Sequence, residues 1–280
     1  MPKGRGIRRI ITEMRMFCAE IITNDPLSED IYDMRLSAPQ DICNEALPGQ
    51  FLHIGVGDGK HLLPRPISVC GVNRQSNKIR LVYQVAGSGT RLFSRMQPGE
   101  ELKALGPCGN GFFLEINNRA ILVGGGIGAP PLLFLAAGLR EGNPGIKLSA
   151  VLGFRSAPIL KEDFLKSCDE VFISTDDGSL GFHGNAAEFL RTRLRQETKF
   201  KAKSSEESVI FSCGPRPMLE SVAGYANELG MPCQVSMEEH MACGLGVCLG
   251  CPVKVKAEGG WKYARVCKDG PVFQGNEVVW

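Results

Sequence analysis

Cys243, Cys248, Cys251 and Cys267 have the side-chain type and the spacing to hold a redox centre. The first three read C-x4-C-x2-C and the fourth follows after fifteen residues, the spacing of plant-type [2Fe–2S] ligation. Such a centre exchanges one electron at a time, so the pattern points to electron transfer. Structural zinc is the competing metal, although zinc sites usually pair their cysteines in two short C-x2-4-C knuckles. Four ordinary buried thiols are the remaining alternative. Gly244, Gly246 and Gly250 lie among the thiols, where they let the backbone wrap and aim N–H groups at sulfur, as a cluster of net negative charge requires. The balance favours iron and sulfide.

A ligand fifteen residues downstream needs an element that brings it back. Residues 252–257 alternate Val253 and Val255 with Lys254 and Lys256, Glu258-Gly259-Gly260 reads as a turn, and residues 261–266 return as a second run. The spacing predicts a hairpin of six, three and six residues with Cys267 opposite Cys251. Facing residues of an antiparallel pair lie about 4.5–5.5 Å apart, so the fourth ligand would arrive beside the third. The same register sets Lys256 against Lys262, a mild like-charge cost. Val278-Val279-Trp280 is an apolar segment with two candidate fates, docking on a partner or packing on its own chain.

Five other stretches have nucleotide-binding chemistry. Gly124-Gly125-Gly126-Ile127-Gly128-Ala129-Pro130 follows an apolar strand and opens a helix, so its backbone can approach a pyrophosphate at a helix N-terminus. A tight turn without ligand has the same pattern. Thr175-Asp176-Asp177-Gly178-Ser179 can offer a carboxylate to a ribose diol, which would disfavour a 2′-phosphate and point to NADH; the alternative is a solvated turn. Cys213-Gly214-Pro215 ends a strand, where the Cys213 thiol would lie against a nicotinamide or be an inert buried group. Arg65-Pro66-Ile67-Ser68 and Gly87-Ser88-Gly89-Thr90-Arg91 combine a guanidinium held by a rigid proline with N–H and hydroxyl donors suited to phosphate. Each of these pieces is weak alone and gains weight from the others.

The chain carrying these motifs is expected to be multidomain. Short alternating runs at 19–23, 31–36, 51–56, 67–72 and 79–85, separated by turn clusters, predict an antiparallel β-barrel over 12–115. Apolar strands at 120–123, 148–154, 170–175 and 208–212, alternating with helical stretches at 131–140, 186–196 and 218–229, predict a doubly wound α/β domain over 118–233. A small β-rich lobe holding the cysteines follows over 236–280. Residues 120–139 carry no charge and meet the length of a membrane span, but the glycine and proline breakers at their middle favour strand, turn and helix.

With 280 residues, 43% hydrophobic and 22% charged, the composition is that of a globular protein with room for more than one core. A net charge of +2 gives no reason to expect nucleic acid or an anionic membrane as partner. Lys3, Arg5, Arg8 and Arg9 are followed by no apolar stretch, so they read as a solvated tail and not a signal peptide. Eleven cysteines cannot all pair, which points to a reducing, cytoplasmic setting.

In this order, an R-P-x-S strand, a downstream G-T, a G-G-G-x-G turn, a C-G-P and a C-terminal cluster motif resemble the ferredoxin-reductase superfamily. More closely, the chain resembles the electron-transfer subunits of type B, NAD-dependent dihydroorotate dehydrogenases. The matching pieces are Arg65-Pro66-Ile67-Ser68, Gly89-Thr90, Gly106-Pro107-Cys108-Gly109-Asn110-Gly111-Phe112, the turns at 124–128 and 175–179, and Met241-Ala242-Cys243-Gly244-Leu245-Gly246-Val247-Cys248. The resemblance implies an FAD-binding barrel, an NAD-binding α/β domain and a [2Fe–2S] domain. It implies that Arg65, Pro66, Ile67, Ser68, Val82, Tyr83, Gln84, Gly89 and Thr90 contact FAD. Gly124, Gly125, Gly126, Gly128, Asp176, Asp177, Cys213 and Gly214 are the candidates for NAD, and the four cluster cysteines carry over one for one. Many ferredoxin reductases have tyrosine where Ile67 stands, and isoleucine cannot stack on a flavin in that way.

The resemblance also implies a separate FMN-containing catalytic subunit, joined in a heterotetramer of two plus two. Electrons would pass from its FMN through [2Fe–2S] and FAD to NAD+ in de novo pyrimidine (UMP) biosynthesis. Orotate chemistry would stay on the partner, and no side chain of this chain is expected to act as a general base. The nearest alternatives are FAD/[2Fe–2S] subunits of bifurcating ferredoxin-NAD(P) or sulfide-type reductases and of hydrogenases. Cys243, where the bifurcating subunits resemble one another in having aspartate, and Asp176-Asp177 count against them. A zinc-stapled nucleotide-sensing scaffold is the non-enzyme alternative.

Overall fold

The computed structural model describes residues 14–57, 59–200 and 208–280, with side chains omitted for 197–200. The basic segment at Lys3 to Arg9 and the turn residue Asp58 fall outside these.

Six strands, β1 (Arg15–Pro26), β2 (Ile31–Ser37), β3 (Phe51–Ile54), β4 (Arg65–Asn73), β5 (Lys78–Gln84) and β6 (Glu101–Cys108), close an antiparallel barrel in the order β1-β2-β5-β4-β3-β6. Period-two patterning explains the closure: Ile79, Leu81 and Tyr83 from β5 meet Ile67 and Val69 from β4 and Leu52 and Ile54 from β3 in one core. β6 was not among the expected runs, although Leu102 and Ala104 are buried between exposed Glu101 and Lys103. Two short helices, α1 (Gln40–Glu45) and α2 (Ser88–Phe93), lie outside the expected runs.

The α/β region carries a seven-stranded sheet in the order β10-β9-β8-β7-β11-β12-β15. It contains β7 (Arg119–Gly125), β8 (Lys147–Phe154), β9 (Glu170–Thr175), β10 (Phe182–His183), β11 (Ser208–Cys213), β12 (Cys233–Ser236) and β15 (Val272–Gln274). All pairings are parallel except the last, where β15 runs antiparallel to β12. Successive strands leave β7 in opposite directions, β8 on one side and β11 on the other, which makes the crevice between β7 and β11 a switch point. Helices α3 (Ala129–Gly142) and α4 (Lys161–Ser167) pack together, as do α5 (Ala186–Phe200) and α6 (Arg216–Glu228). The charge-free stretch at 120–139 is thus β7, a glycine turn and most of α3. No helix among the described residues is long and apolar enough to cross a membrane. Arg80 on β5 ties barrel to sheet region, donating to Asp33 at 2.7 Å and to Asp163 of α4 at 2.9 Å.

The cysteine-bearing segment forms a hairpin, β13 (Pro252–Ala257) and β14 (Gly260–Arg265). Its register differs by one residue from the expected one: Lys256 pairs with Trp261, Val255 with Lys262 and Ala257 with Gly260. The turn is two residues, Glu258-Gly259, with Gly259 at φ +79°, and a two-residue turn of this hand matches the strand twist better than three. Lys256 and Lys262 therefore do not face each other, and Lys254 instead places its ammonium 4.3 Å from the centre of the Trp261 ring. The apolar C-terminal residues pack on their own chain. Val278 is buried, the Val279 N–H donates to Lys254 O at 2.9 Å, and Trp280 Nε1 donates to Gly275 O at 3.2 Å.

Candidate functional site

The four cysteines come together as two pairs. Cys243 and Cys248 lie on one irregular loop, and each sulfur accepts a backbone N–H: Leu245 N to Cys243 Sγ at 3.3 Å and Gly250 N to Cys248 Sγ at 3.4 Å. Cys251 and Cys267 are buried at the open end of the hairpin, with Cys267 N donating to Cys251 Sγ at 3.5 Å. The one-residue shift puts Val266, and not Cys267, across from Cys251, since Val266 N donates to Cys251 O at 2.9 Å. Burial works to raise the Cys243 thiol, but N–H groups of Cys248, Leu245 and Val247 outweigh it and bring it down to about 6. Burial and the Cys251 side chain push Cys267 up to about 12. Among the described residues no three His, Cys, Asp or Glu side chains converge on a single ion. Two thiol pairs with N–H groups aimed at sulfur fit a binuclear anionic core, in which each iron takes two protein ligands and shares the sulfides.

Neighbouring residues hold this loop in shape, and of these Arg265, Asp269 and His53 carry no motif of their own. Arg265, the last residue of β14, donates from Nη1 to Gly246 O at 2.9 Å while Nε and Nη2 clasp the Asp269 carboxylate at 2.8 and 3.1 Å. The signal was an Arg and an Asp four apart, flanking Cys267. Asn110 reaches across from the barrel end, donating from Nδ2 to Lys268 O and Asp269 O at 3.1 and 3.0 Å. Cys108, at the end of β6, is fully buried beside Cys267, and burial pushes its thiol up to about 12. His53 on β3 is 1% exposed, and both ring nitrogens lack a hydrogen-bond partner. An unpaired buried polar group costs about 1–3 kcal/mol.

On the barrel, β4 alternates as a phosphate- and flavin-facing strand would. Arg65, Pro66 and Ser68 are half-buried while Ile67 is in the core; Pro66 and Ser68 share the outer face, and Arg65 opens the strand on the face of Ile67, at the barrel end. The Arg65 guanidinium lies against Gly89 of α2 and donates from Nη1 to Leu63 O. Thr90 is more occupied than expected: its hydroxyl accepts from Ala86 N and Gly87 N at 3.0 and 3.2 Å and closes the first turn of α2. What α2 offers a phosphate is its first-turn backbone N–H groups. On β5, Val82 packs toward α3 and Tyr83 is buried inside the barrel with its hydroxyl donating to Asn24 Oδ1 at 3.0 Å, so Tyr83 can serve a ligand only through its backbone. Gln84 is exposed and donates to Asp30 at 2.6 Å.

At the carboxyl end of the sheet the glycine turn and the C-G-P meet. A Cβ on Gly128 would fall on the Cys213 carbonyl, and one on Gly125 would stand 2.9 Å from Pro215 Cδ. Gly124 and Gly214 share this packed corner, with Gly214 at φ +152°, whereas Gly126 faces open space at φ +53°. Burial raises the Cys213 thiol, which makes it an unreactive surface. Glu238, beyond β12, acts on the same thiol; burial raises its carboxyl although the residue still reaches solvent, as a group in a cleft wall does. Asp176 and Asp177 stand exposed on the loop after β9, outside this corner. Asp177 accepts from Ser179 N at 2.9 Å, a bond that lowers its carboxyl and closes its own turn.

Comparison with known proteins places these features together. The family model of the iron–sulfur cluster binding domain of dihydroorotate dehydrogenase B matches residues 238–279. The electron transfer subunit of dihydroorotate dehydrogenase B (NAD(+)) from Caldanaerobacter subterraneus subsp. tengcongensis is 36% identical over 262 residues, 94% of this chain and 98% of that protein. The protein of the same name from Geobacillus kaustophilus is 38% identical over 259 residues, covering 90% and 94%. Among solved structures, one described as an NADH-dependent reduced ferredoxin-NADP oxidoreductase of flavin-based electron bifurcation superposes with a TM-score of 0.79 at 29% identity, over 94% of this chain and 90% of that one. A ferredoxin NADP+ reductase from Neisseria gonorrhoeae shares the fold, with a TM-score of 0.64 at 16% identity over 77% and 92%.

Proposed function

This chain belongs to the family of dihydroorotate dehydrogenase B (NAD(+)) electron-transfer subunits, and from that premise we propose that it relays electrons between a catalytic partner and NAD+ through [2Fe–2S] and FAD. The observation that carries the proposal is the set of two thiol pairs with N–H groups on sulfur, set against the barrel end that bears the R-P-x-S strand. FAD supplies the exchange between a two-electron hydride and single electrons, which a nicotinamide and an iron–sulfur centre cannot make directly.

The residues of this chain bind, orient and exclude water. Arg65 and the first-turn N–H groups of α2 hold the pyrophosphate of FAD, with Pro66, Ile67, Ser68 and the backbone of Val82–Gln84 along the flavin. Cys243 with Cys248, and Cys251 with Cys267, hold the two irons. The corner of Gly124–Gly128 and Cys213-Gly214 receives NAD, with Asp176 toward the ribose. We assign these three tasks to 12–115, 118–233 and 236–280, with β15 of the last segment completing the sheet of the second.

An electron-transfer subunit has a catalytic partner, and we propose that this one carries FMN, joins in a two-plus-two heterotetramer and works in the cytoplasm in pyrimidine biosynthesis. Leu245, Val247 and Leu249 are 43%, 79% and 64% exposed on the cysteine loop, an apolar surface suited to contact with it.

The test is a purified sample. We expect flavin absorbance with an iron–sulfur shoulder, two irons and two sulfides per chain, NADH-dependent dye reduction alone, and dihydroorotate-dependent NAD+ reduction only with the catalytic subunit added. A colourless zinc protein would overturn the reading. The bifurcating-reductase alternative has a likeness of 29% behind it, against 36% and 38% for the two relatives above, and Cys243 argues against it.

A further inference from the structure

We infer that His53 is a positioning residue that fixes the separation between the flavin and the [2Fe–2S] centre. The inference rests on the reading that the barrel holds FAD and the cysteine loop the cluster. It concerns how the two are kept in register.

In the β3–β4 ladder His53 pairs with Pro66. Cross-strand partners project from the same face of a sheet, so the imidazole stands on the face that carries Pro66 of the R-P-x-S strand. Its neighbours in sequence, Leu52 and Ile54, turn into the barrel core. On its far side the ring lies against the cysteine loop. A Cβ on Gly244 would fall on Nδ1 and stand 3.1 Å from both Cε1 and Cγ, and Gly244 sits at φ +68°. A glycine is therefore required there twice over, by the ring and by the backbone. Gly244 follows the first cluster cysteine directly. The path from flavin strand to cluster ligand is thus one ladder step, one imidazole and one residue.

The ring nitrogens strengthen the case. They are buried with no hydrogen bond of good geometry, and the backbone groups of Pro64, next to Arg65, and of Cys243 both act on the ring. These are one group from each side of the seam. Cys108 closes the seam behind the ring, fully buried beside Cys267. A side chain packed this tightly between two cofactor-bearing segments acts as a spacer, and its nitrogens are placed to lock it to either one. Electron transfer slows exponentially as the separation of two centres grows, so a spacer between them sets the rate.

The experiment uses the full chain with both cofactors, as wild type, His53→Ala and His53→Gln. Stopped-flow absorbance follows flavin reduction by NADH and then cluster reduction. EPR of half-reduced samples reads the magnetic broadening between the two centres, which reports their separation. We expect His53→Ala to leave flavin reduction unchanged, to slow cluster reduction severalfold, and to alter the broadening. His53→Gln, which keeps a donor and much of the volume, should recover most of both. If His53→Ala loses its cluster, His53→Val, which shortens the spacer less and removes both ring nitrogens, carries the same comparison, with slowed cluster reduction and altered broadening expected. Wild-type transfer rate and line shape in every variant that loads both cofactors would overturn the inference. Absence of flavin or cluster from the wild type would instead overturn the reading beneath it.

Discussion

The guanidinium of Arg65 lies over Gly89, so that a Cβ on that glycine would stand 2.6 Å from Nε and 2.7 Å from Nη2. The obstructing atoms are the far end of a flexible side chain, which can swing aside without disturbing the barrel. Gly89→Ala should therefore leave the fold intact and displace the cation proposed to hold the FAD pyrophosphate. The expected outcome is a normal unfolding midpoint with flavin affinity weakened by roughly tenfold, about the 1.4 kcal/mol of one good contact. Flavin content after dialysis measures it.

Cys267→Ser should lose the cluster and keep FAD, because Cys267 and Arg65 sit on different elements with separate cores. Iron and sulfide analysis beside flavin absorbance tests this. A normal reduced-cluster EPR signal in the variant would contradict the ligand assignment.

Gly128 meets a harder obstacle, the backbone carbonyl of Cys213, which has nowhere to go. Gly128→Ala should destabilise the sheet region by about 1–3 kcal/mol, as overpacked positions do, and raise the KM for NADH by prising the glycine turn from the C-G-P. Thermal unfolding and NADH titration together separate this from Gly89→Ala, which moves flavin affinity alone.

Val247 is 79% exposed and makes a charge there almost free for the isolated chain. Val247→Asp should keep both cofactors and weaken association with the catalytic subunit by on the order of tenfold or more, since a buried unpaired charge is costly at an interface. Sedimentation of the mixed subunits is the measurement; unchanged association would remove this face from the docking surface.

Glu238 gives a pH dependence with a definite sign. Burial raises its carboxyl in the folded protein, so folding favours the protonated form. The stability linked to that proton is present at acid pH and is lost as pH rises from the ordinary carboxylate range through the raised value. Glu238→Gln should match the wild type at acid pH and be modestly more stable toward neutrality, an effect kept small by the solvent that still reaches the residue. Unfolding midpoints at a series of pH values test it.

Local chemistry was legible in the sequence and cross-chain packing was not. The cysteine spacing, the R-P-x-S strand and the glycine turn are contiguous, so their types and order survive in one dimension. The hairpin was visible, but its register hung on whether Gly260 belonged to the turn or the strand, and a one-residue change there moved every pair. Thr90 looked like a phosphate donor because nothing in sequence reveals that its hydroxyl caps its own helix. His53 was invisible, being a lone histidine in an apolar strand whose partner, Gly244, lies 191 positions away.

The antiparallel edge strand β15 follows the last cluster cysteine in the chain, yet it pairs with β12, which precedes the first. On the ribosome the sheet gains that edge only after the whole cysteine segment has emerged. The cluster segment is therefore a loop pinned at both ends by one sheet, and metal loading and edge closure become mutually supporting steps of maturation. A chain with β15 undocked would expose β12 as an open edge, a template for pairing with another chain.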